Sequence, residues 1–173
     1  MARALLLAAL ALSIAAGPAA AAIRQFSYDP ANDETRAAAG GLTFLINQSI
    51  FSTRVLKLRA TEAQATADLR RTDPSVLGRS IDRPNERDVY EVLPADDGAA
   101  LIAAFCPGSK GAWMAFSPVR LNQDLSVLVV GDDPKGGPPR RCRGFEFSFH
   151  GEWRLPPGTP PSFGPVGPPH FPN

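Results

Sequence analysis

The chain has 173 residues, with 18 Lys and Arg against 17 Asp and Glu, 18 Pro, 15 Gly and only 2 Cys. This length suits a single domain and excludes a multidomain enzyme, while two cysteines exclude a disulfide-dense miniprotein. The near-neutral charge excludes a strongly basic nucleic-acid binder, so we expect no nucleic-acid partner. These totals do not identify a function.

The first 22 residues show the three-part pattern of a secretory signal peptide. Arg3 supplies the positive charge, an apolar run follows it up to a Gly-Pro break, and small residues end at Ala22. We expect cleavage between Ala22 and Ile23. The apolar run is shorter than the roughly 20 residues of a spanning helix, so the mature form should carry no membrane span. An Arg-rich, Lys-poor chain is typical of a GC-rich bacterium, and we expect a periplasmic or secreted protein.

Proline marks a second boundary near the C-terminus. Eight of the 18 prolines fall in residues 156–173, which predicts a disordered, polyproline-like tail. Residues 23–155 then form one globular domain. Because residues 1–22 contain one base and no acid, the mature chain carries 17 of each and has a formal net charge of 0.

The pattern of apolar residues predicts strands over residues 25–28, 42–47, 53–60, 88–93, 112–116, 124–130 and 145–150. Asn32 or Asp33 can cap a short helical turn before Gly40. Residues 61–71 are compatible with a helix or with a continued strand. Residues 74–84 should form a loop with a short helical turn.

Two elements carry the clearest patterns. An acidic pair precedes the apolar residues 98–105 and Pro-Gly follows them, which predicts one short buried helix. In residues 145–150 three phenylalanines alternate with three polar residues, as in a half-buried antiparallel strand. Together these elements predict an α+β fold: a single antiparallel sheet of five to seven strands with the helix on one face, one disulfide and the disordered tail.

The two cysteines, Cys106 and Cys142, should form that disulfide, because an exported chain with an even number of cysteines is expected to oxidise them. The chain has no C-x-x-C redox motif and no second cysteine pair for a structural zinc site. In the loop-entropy description, closing 37 residues stabilises the fold by about 4 kcal/mol.

Few residues suggest chemistry. His150 and Glu152 lie close together on the polar face of the last strand, where a histidine beside a carboxylate could act as a general base. A solvent-facing pair beside a turn is the simpler interpretation. No zinc signature, nucleophile motif or phosphate loop is present, so we predict no catalytic residues, no metal and no cofactor.

A group of arginines flanks the second cysteine. Arg140, Arg141 and Arg143 could together hold a phosphate or carboxylate, because guanidinium binds such groups with two parallel hydrogen bonds. A solvated strand end in an Arg-rich chain is the simpler interpretation. We treat these three residues as weak anion-binding candidates.

A foldable domain without a catalytic constellation, followed by a tail suited to contact, favours a small exported non-catalytic protein. Our first hypothesis is a binding or interaction module of the cell envelope, with an envelope protein or an anionic envelope component as partner. A small secreted hydrolase or lyase that uses His150 is the first alternative, and a secreted inhibitor is the second. A flat surface around His150 would argue against the enzyme, and exposed aromatic side chains would favour the binding module.

Overall fold

The structure is a computed structural model that describes residues 22–49, 52–77, 88–156, 158 and 160–163. In chain order its elements are β1 (Ala22–Pro30), α1 (Asp33–Ala38), β2 (Leu42–Gln48), β3 (Thr53–Ala60), β4 (Ala65–Thr72), a 3₁₀-helix (Pro74–Leu77), β5 (Asp88–Val92), α2 (Gly98–Phe105), β6 (Ala112–Phe116), β7 (Leu125–Gly131) and β8 (Arg140–Arg154). The predicted signal peptide lies outside the described residues except for Ala22, which begins β1. None of the described helices has the length and hydropathy needed to cross a bilayer.

The strands form one closed antiparallel barrel in which each strand pairs with the next and β8 pairs with β1. The prediction of a single open sheet of five to seven strands is therefore wrong. One cause is that residues 61–71 contain a turn followed by most of a separate strand, β4. The other is that closure joins residues as distant as Arg24 and Glu152, 128 positions apart, which no local pattern indicates.

Most individual elements agree with the sequence. The helix over residues 98–105 and the capped turn after Asn32 are confirmed, and β2 pairs with β3 as a hairpin. β8 is much longer than predicted, and its residues 140–147 pair with β7. Its remaining residues pair only with β1, and a bulge at His150 shifts the register between those two strands.

Large side chains fill the interior of the barrel. Phe145 and Phe147 of β8 are buried while Glu146 between them is exposed, as the alternating pattern predicts. Phe44 contacts Tyr28 and Phe116 edge to face, with ring centroids 5.7 and 5.2 Å away. An eight-stranded barrel is just wide enough to be filled by such side chains, so this interior is a packed core.

Both α-helices lie at one end of the barrel, which we call the helix end. Leu101 and Phe105 of α2 are buried in the same cluster as the barrel interior, so the helix covers this end and not one face of a sheet. Cys106 directly follows α2 and is bonded to Cys142 near the start of β8, which confirms the predicted disulfide. The crosslink therefore fastens α2 to the barrel wall.

The opposite end, which we call the loop end, is where β1 begins and β8 ends. The connections between β2 and β3, β4 and β5, and β6 and β7 all lie there. In the second of these, Leu77 of the 3₁₀-helix packs with Val89 and Leu128 outside the barrel wall. The helix end is thus closed by helices, whereas the loop end is formed by connections, the start of β1 and the end of β8.

The described tail residues return to the outer wall of the barrel. None of residues 156, 158 and 160–163 belongs to a helix or strand. Phe163 lies over Arg59 of β3, with the guanidinium carbon 4.5 Å from the ring centroid. The remainder of the predicted disordered tail lies outside the described residues.

Candidate binding site at the loop end

A cavity of about 370 Å³ opens at the loop end of the barrel. Its lining residues come from three strands and two connections: Ser52, Thr53, Val55, Arg71, Asp88, Tyr90, Pro118, Val119 and Arg120. Ligand sites in proteins commonly measure roughly 300 to 1,000 Å³, and the mouths of β-barrels are among their usual places. Because side chains fill the barrel interior, the cavity is confined to the opening of the barrel and ends at the packed core.

Arginine dominates the charge around this cavity. Arg71 pairs with Asp88, which lies one strand away on β5. Arg120 is exposed in the connection between β6 and β7 and has no ion pair among the described residues. Arg54 is also exposed, and its charge acts to lower the pKa of Tyr90 in the cavity lining. In the cavity lining, two guanidinium groups against one carboxylate leave a net positive charge.

Tyr90 supplies a polar group on the floor of the cavity. Its side chain is buried against Phe116, and its hydroxyl oxygen accepts a hydrogen bond from the backbone N–H of Val55 at 3.2 Å. Burial raises the pKa of Tyr90, which Asp88 reinforces, and the hydrogen bond from Val55 and the charges of Arg71 and Arg54 only partly offset this. The hydroxyl is thus protonated at neutral pH and retains a proton to donate.

Exposed apolar side chains border the same end. Among the described residues, three large hydrophobic side chains are exposed: Val76, Leu121 and Trp153. Leu121 is 48% exposed and precedes β7, and Trp153 is 47% exposed near the end of β8. Both positions belong to the loop end by topology. Exposed aromatic and aliphatic groups are enriched at binding surfaces.

The structure places the two sequence candidates on β8 in different surroundings. His150 is exposed, its Nδ1 lies 2.7 Å from Oδ2 of Asp29, and its ring stacks on Trp153. Glu152 forms an ion pair with Arg24 at 2.7 Å. His150 is therefore engaged on the outer wall of the barrel. Glu152 is only 14% exposed and lies opposite the buried Phe26 of β1. Neither residue lines the cavity at the loop end.

The predicted arginine cluster lies at the helix end. Arg140 begins β8 and donates hydrogen bonds to the carbonyl oxygen of Pro107 and to the hydroxyl of Ser109. These bonds hold the turn that follows the disulfide-bonded Cys106. Arg141 and Arg143 follow on the same strand. The three candidates are thus separated by the length of the barrel from the arginines of the cavity.

Sequence reasoning did not identify the cavity residues as a group. Arg71, Tyr90 and Arg120 belong to three different parts of the chain and come together only when the barrel closes. No motif or spacing signals them. Within the described residues, no group of three His, Cys, Asp or Glu side chains could hold a metal ion.

Comparison with known proteins adds no further assignment to this geometry. No protein family matches the chain, and neither does any curated protein or solved structure. The function is therefore argued from the site alone.

Proposed function

We propose that the protein is a small exported, non-catalytic binding module of the cell envelope, and that it binds its partner through the loop end. One observation carries the proposal. The exposed side chains of Leu121 and Trp153 and the arginine-lined cavity lie at the same end of a rigid barrel, while helices and a disulfide close the other end. Such an arrangement presents one surface with both apolar contacts and a polar pocket.

The chemistry of the cavity favours binding over catalysis. Its titratable lining groups are Arg71, Arg120, Asp88 and Tyr90. Arg71 engages Asp88 in an ion pair, and burial keeps Tyr90 protonated. Guanidinium and phenol groups bind anions well, but neither is a ready general base at neutral pH. The hydrolase alternative depends on His150, whose exposed position on a convex wall gives a substrate no enclosure.

The proposed location rests on two further features. The signal-like first 22 residues favour export, and a disulfide is compatible with an oxidising compartment. We therefore place the mature protein in the periplasm or outside the cell. The inhibitor alternative would need a projecting rigid loop. None of the described connections supports the assignment of such a loop.

Affinity capture with matched variants tests the proposal. The exported protein and the variants Trp153→Ala, Leu121→Ser and Ala103→Ser are immobilised and exposed to the same envelope extract. Ala103 is exposed on α2 at the helix end and serves as the control. A partner that is retained by the unmodified protein and by Ala103→Ser, but lost with both loop-end variants, supports the proposal. Equal retention by all four proteins contradicts it.

A further inference from the structure

The geometry points to a specific ligand class for the cavity: we propose that it binds an oxyanion, a phosphate or carboxylate group, between Arg120, Arg71 and the hydroxyl of Tyr90. This inference rests on the proposed function, since it names what the loop end recognises. The sequence-predicted anion candidates at the start of β8 are not part of this site.

The first argument for an oxyanion is the charge balance of the cavity. Arg71 already faces Asp88, so this pair alone is neutral. Arg120 is exposed and has no carboxylate partner among the described residues, which leaves the lining with a surplus of one positive charge. A cavity whose wall carries unbalanced guanidinium groups concentrates anions and disfavours cations.

The hydrogen-bonding groups carry the second step. A guanidinium group has five N–H donors in a planar fork that matches the two oxygens of a carboxylate or phosphate. Tyr90 uses its oxygen to accept from Val55, so its own proton is available to a ligand. Ser52 and Thr53 add hydroxyl groups to the lining. The cavity is thus rich in donors, as an oxyanion requires.

The size and rigidity of the cavity carry the third step. A volume of about 370 Å³ corresponds to roughly a dozen water molecules at about 30 Å³ each, so an oxyanion fits with an attached organic group. The buried ring of Phe116 supports Tyr90 from within the core. A donor held in place by packing binds with little loss of conformational entropy.

Nuclear magnetic resonance titration of the exported protein tests this inference. Inorganic phosphate and, separately, acetate are added at constant ionic strength, so that general screening does not change. Either anion should shift the backbone amide signals of Val55, Tyr90 and Arg120 before those of the helix end. Arg120→Gln should weaken binding about tenfold, the loss expected for one charged hydrogen-bonding partner. Arg141→Gln, which removes one charge at the helix end, should leave the affinity unchanged.

The outcomes separate this inference from the proposed function. If neither anion shifts the cavity signals, or if Arg141→Gln weakens binding as much as Arg120→Gln, the oxyanion site is refuted. Partner capture could still depend on Trp153 and Leu121 in that case, and the binding function would stand. A preference for phosphate over acetate would assign the ligand to phosphate-bearing molecules, and the reverse preference to carboxylates. Because Arg120 is exposed and lacks an ion pair among the described residues, its replacement should leave the fold intact, which the same spectra report.

Discussion

The hydroxyl of Tyr90 accepts a hydrogen bond from the backbone N–H of Val55 at 3.2 Å, inside the barrel wall. Tyr28 is buried to the same degree, but its hydroxyl has no hydrogen-bond partner within the part of the chain that the structure describes. The two tyrosines therefore form a natural pair for comparison. One hydroxyl satisfies a strand amide, and the other is buried without compensation.

Replacing each tyrosine by phenylalanine should have opposite effects on stability. Tyr28→Phe removes a buried group without a partner and should raise the free energy of unfolding by about 1 kcal/mol. Tyr90→Phe leaves the N–H of Val55 without its acceptor and should lower the free energy of unfolding by about 1 to 2 kcal/mol. Urea denaturation at pH 7 measures both. A loss of stability in Tyr28→Phe equal to that in Tyr90→Phe would contradict the assigned hydrogen bonding.

The same pair predicts a fall in stability at alkaline pH. Burial, with a contribution from Asp124, raises the pKa of Tyr28, and burial likewise raises the pKa of Tyr90, both from an ordinary value of 10.0. Above pH 10 the unfolded chain loses these protons while the folded chain keeps them, so the unfolded state gains stability. The stability that depends on these two protonated hydroxyls is fully present below pH 10. It is lost as the pH rises towards the pKa values of the two tyrosines in the folded state.

Urea midpoints measured between pH 8 and pH 11 check this expectation. The unmodified protein should lose stability steadily above pH 9.5, and Tyr28→Phe should lose less over the same range. An identical alkaline slope for the two proteins would show that Tyr28 titrates normally in the folded state.

The disulfide should be a major source of stability. Double replacement of Cys106 and Cys142 by alanine frees a span of 37 residues in the unfolded chain and should lower the free energy of unfolding by about 4 kcal/mol. Chemical denaturation of the oxidised protein and of the double variant gives the difference. Thiol labelling of the unreduced, denatured protein is the control, and two labelled cysteines would refute the crosslink.

Gly98, the first residue of α2, should not tolerate a side chain. A Cβ atom built there would lie 1.9 Å from the carbonyl oxygen of Leu93, so the backbone would have to move. Helix propensity alone predicts that Gly98→Ala stabilises by about 1 kcal/mol, whereas the steric conflict predicts a loss of about 2 kcal/mol. Thermal unfolding shows whether Gly98→Ala gains or loses stability. Ala103→Gly on the exposed face is the matched control and should cost about 1 kcal/mol.

The sequence predicts those parts of the fold that depend on neighbouring residues. Alternation identifies β8, and the sequence around Asp97 and Pro107 bounds α2, because these patterns act over a few residues. The turn before β4 was missed because Gln64 takes a left-handed backbone conformation, with φ of 47°, where glycine or asparagine would be the usual signal.

Barrel closure and the assembly of the candidate site both depend on residues that are distant in the chain. Arg24 meets Glu152 only after β8 has joined β1, and Tyr90 meets Val55 only after β3, β4 and β5 have paired. The disulfide could be predicted because a chain with two cysteines allows a single internal pairing. The arginine-lined cavity could not be predicted, because the chain has 15 arginines and nothing in the local sequence distinguishes Arg120 from the others.

Site-specific photo-crosslinking in the envelope of a cell that exports the protein tests the central claim most directly. A benzoylphenylalanine residue is placed at position 121 or 153 at the loop end, or at position 103 at the helix end. We predict that irradiation yields the same covalent adduct from positions 121 and 153 and none from position 103. An adduct formed only from position 103, or none from either loop-end position, would contradict the claim that this protein binds its partner through the loop end.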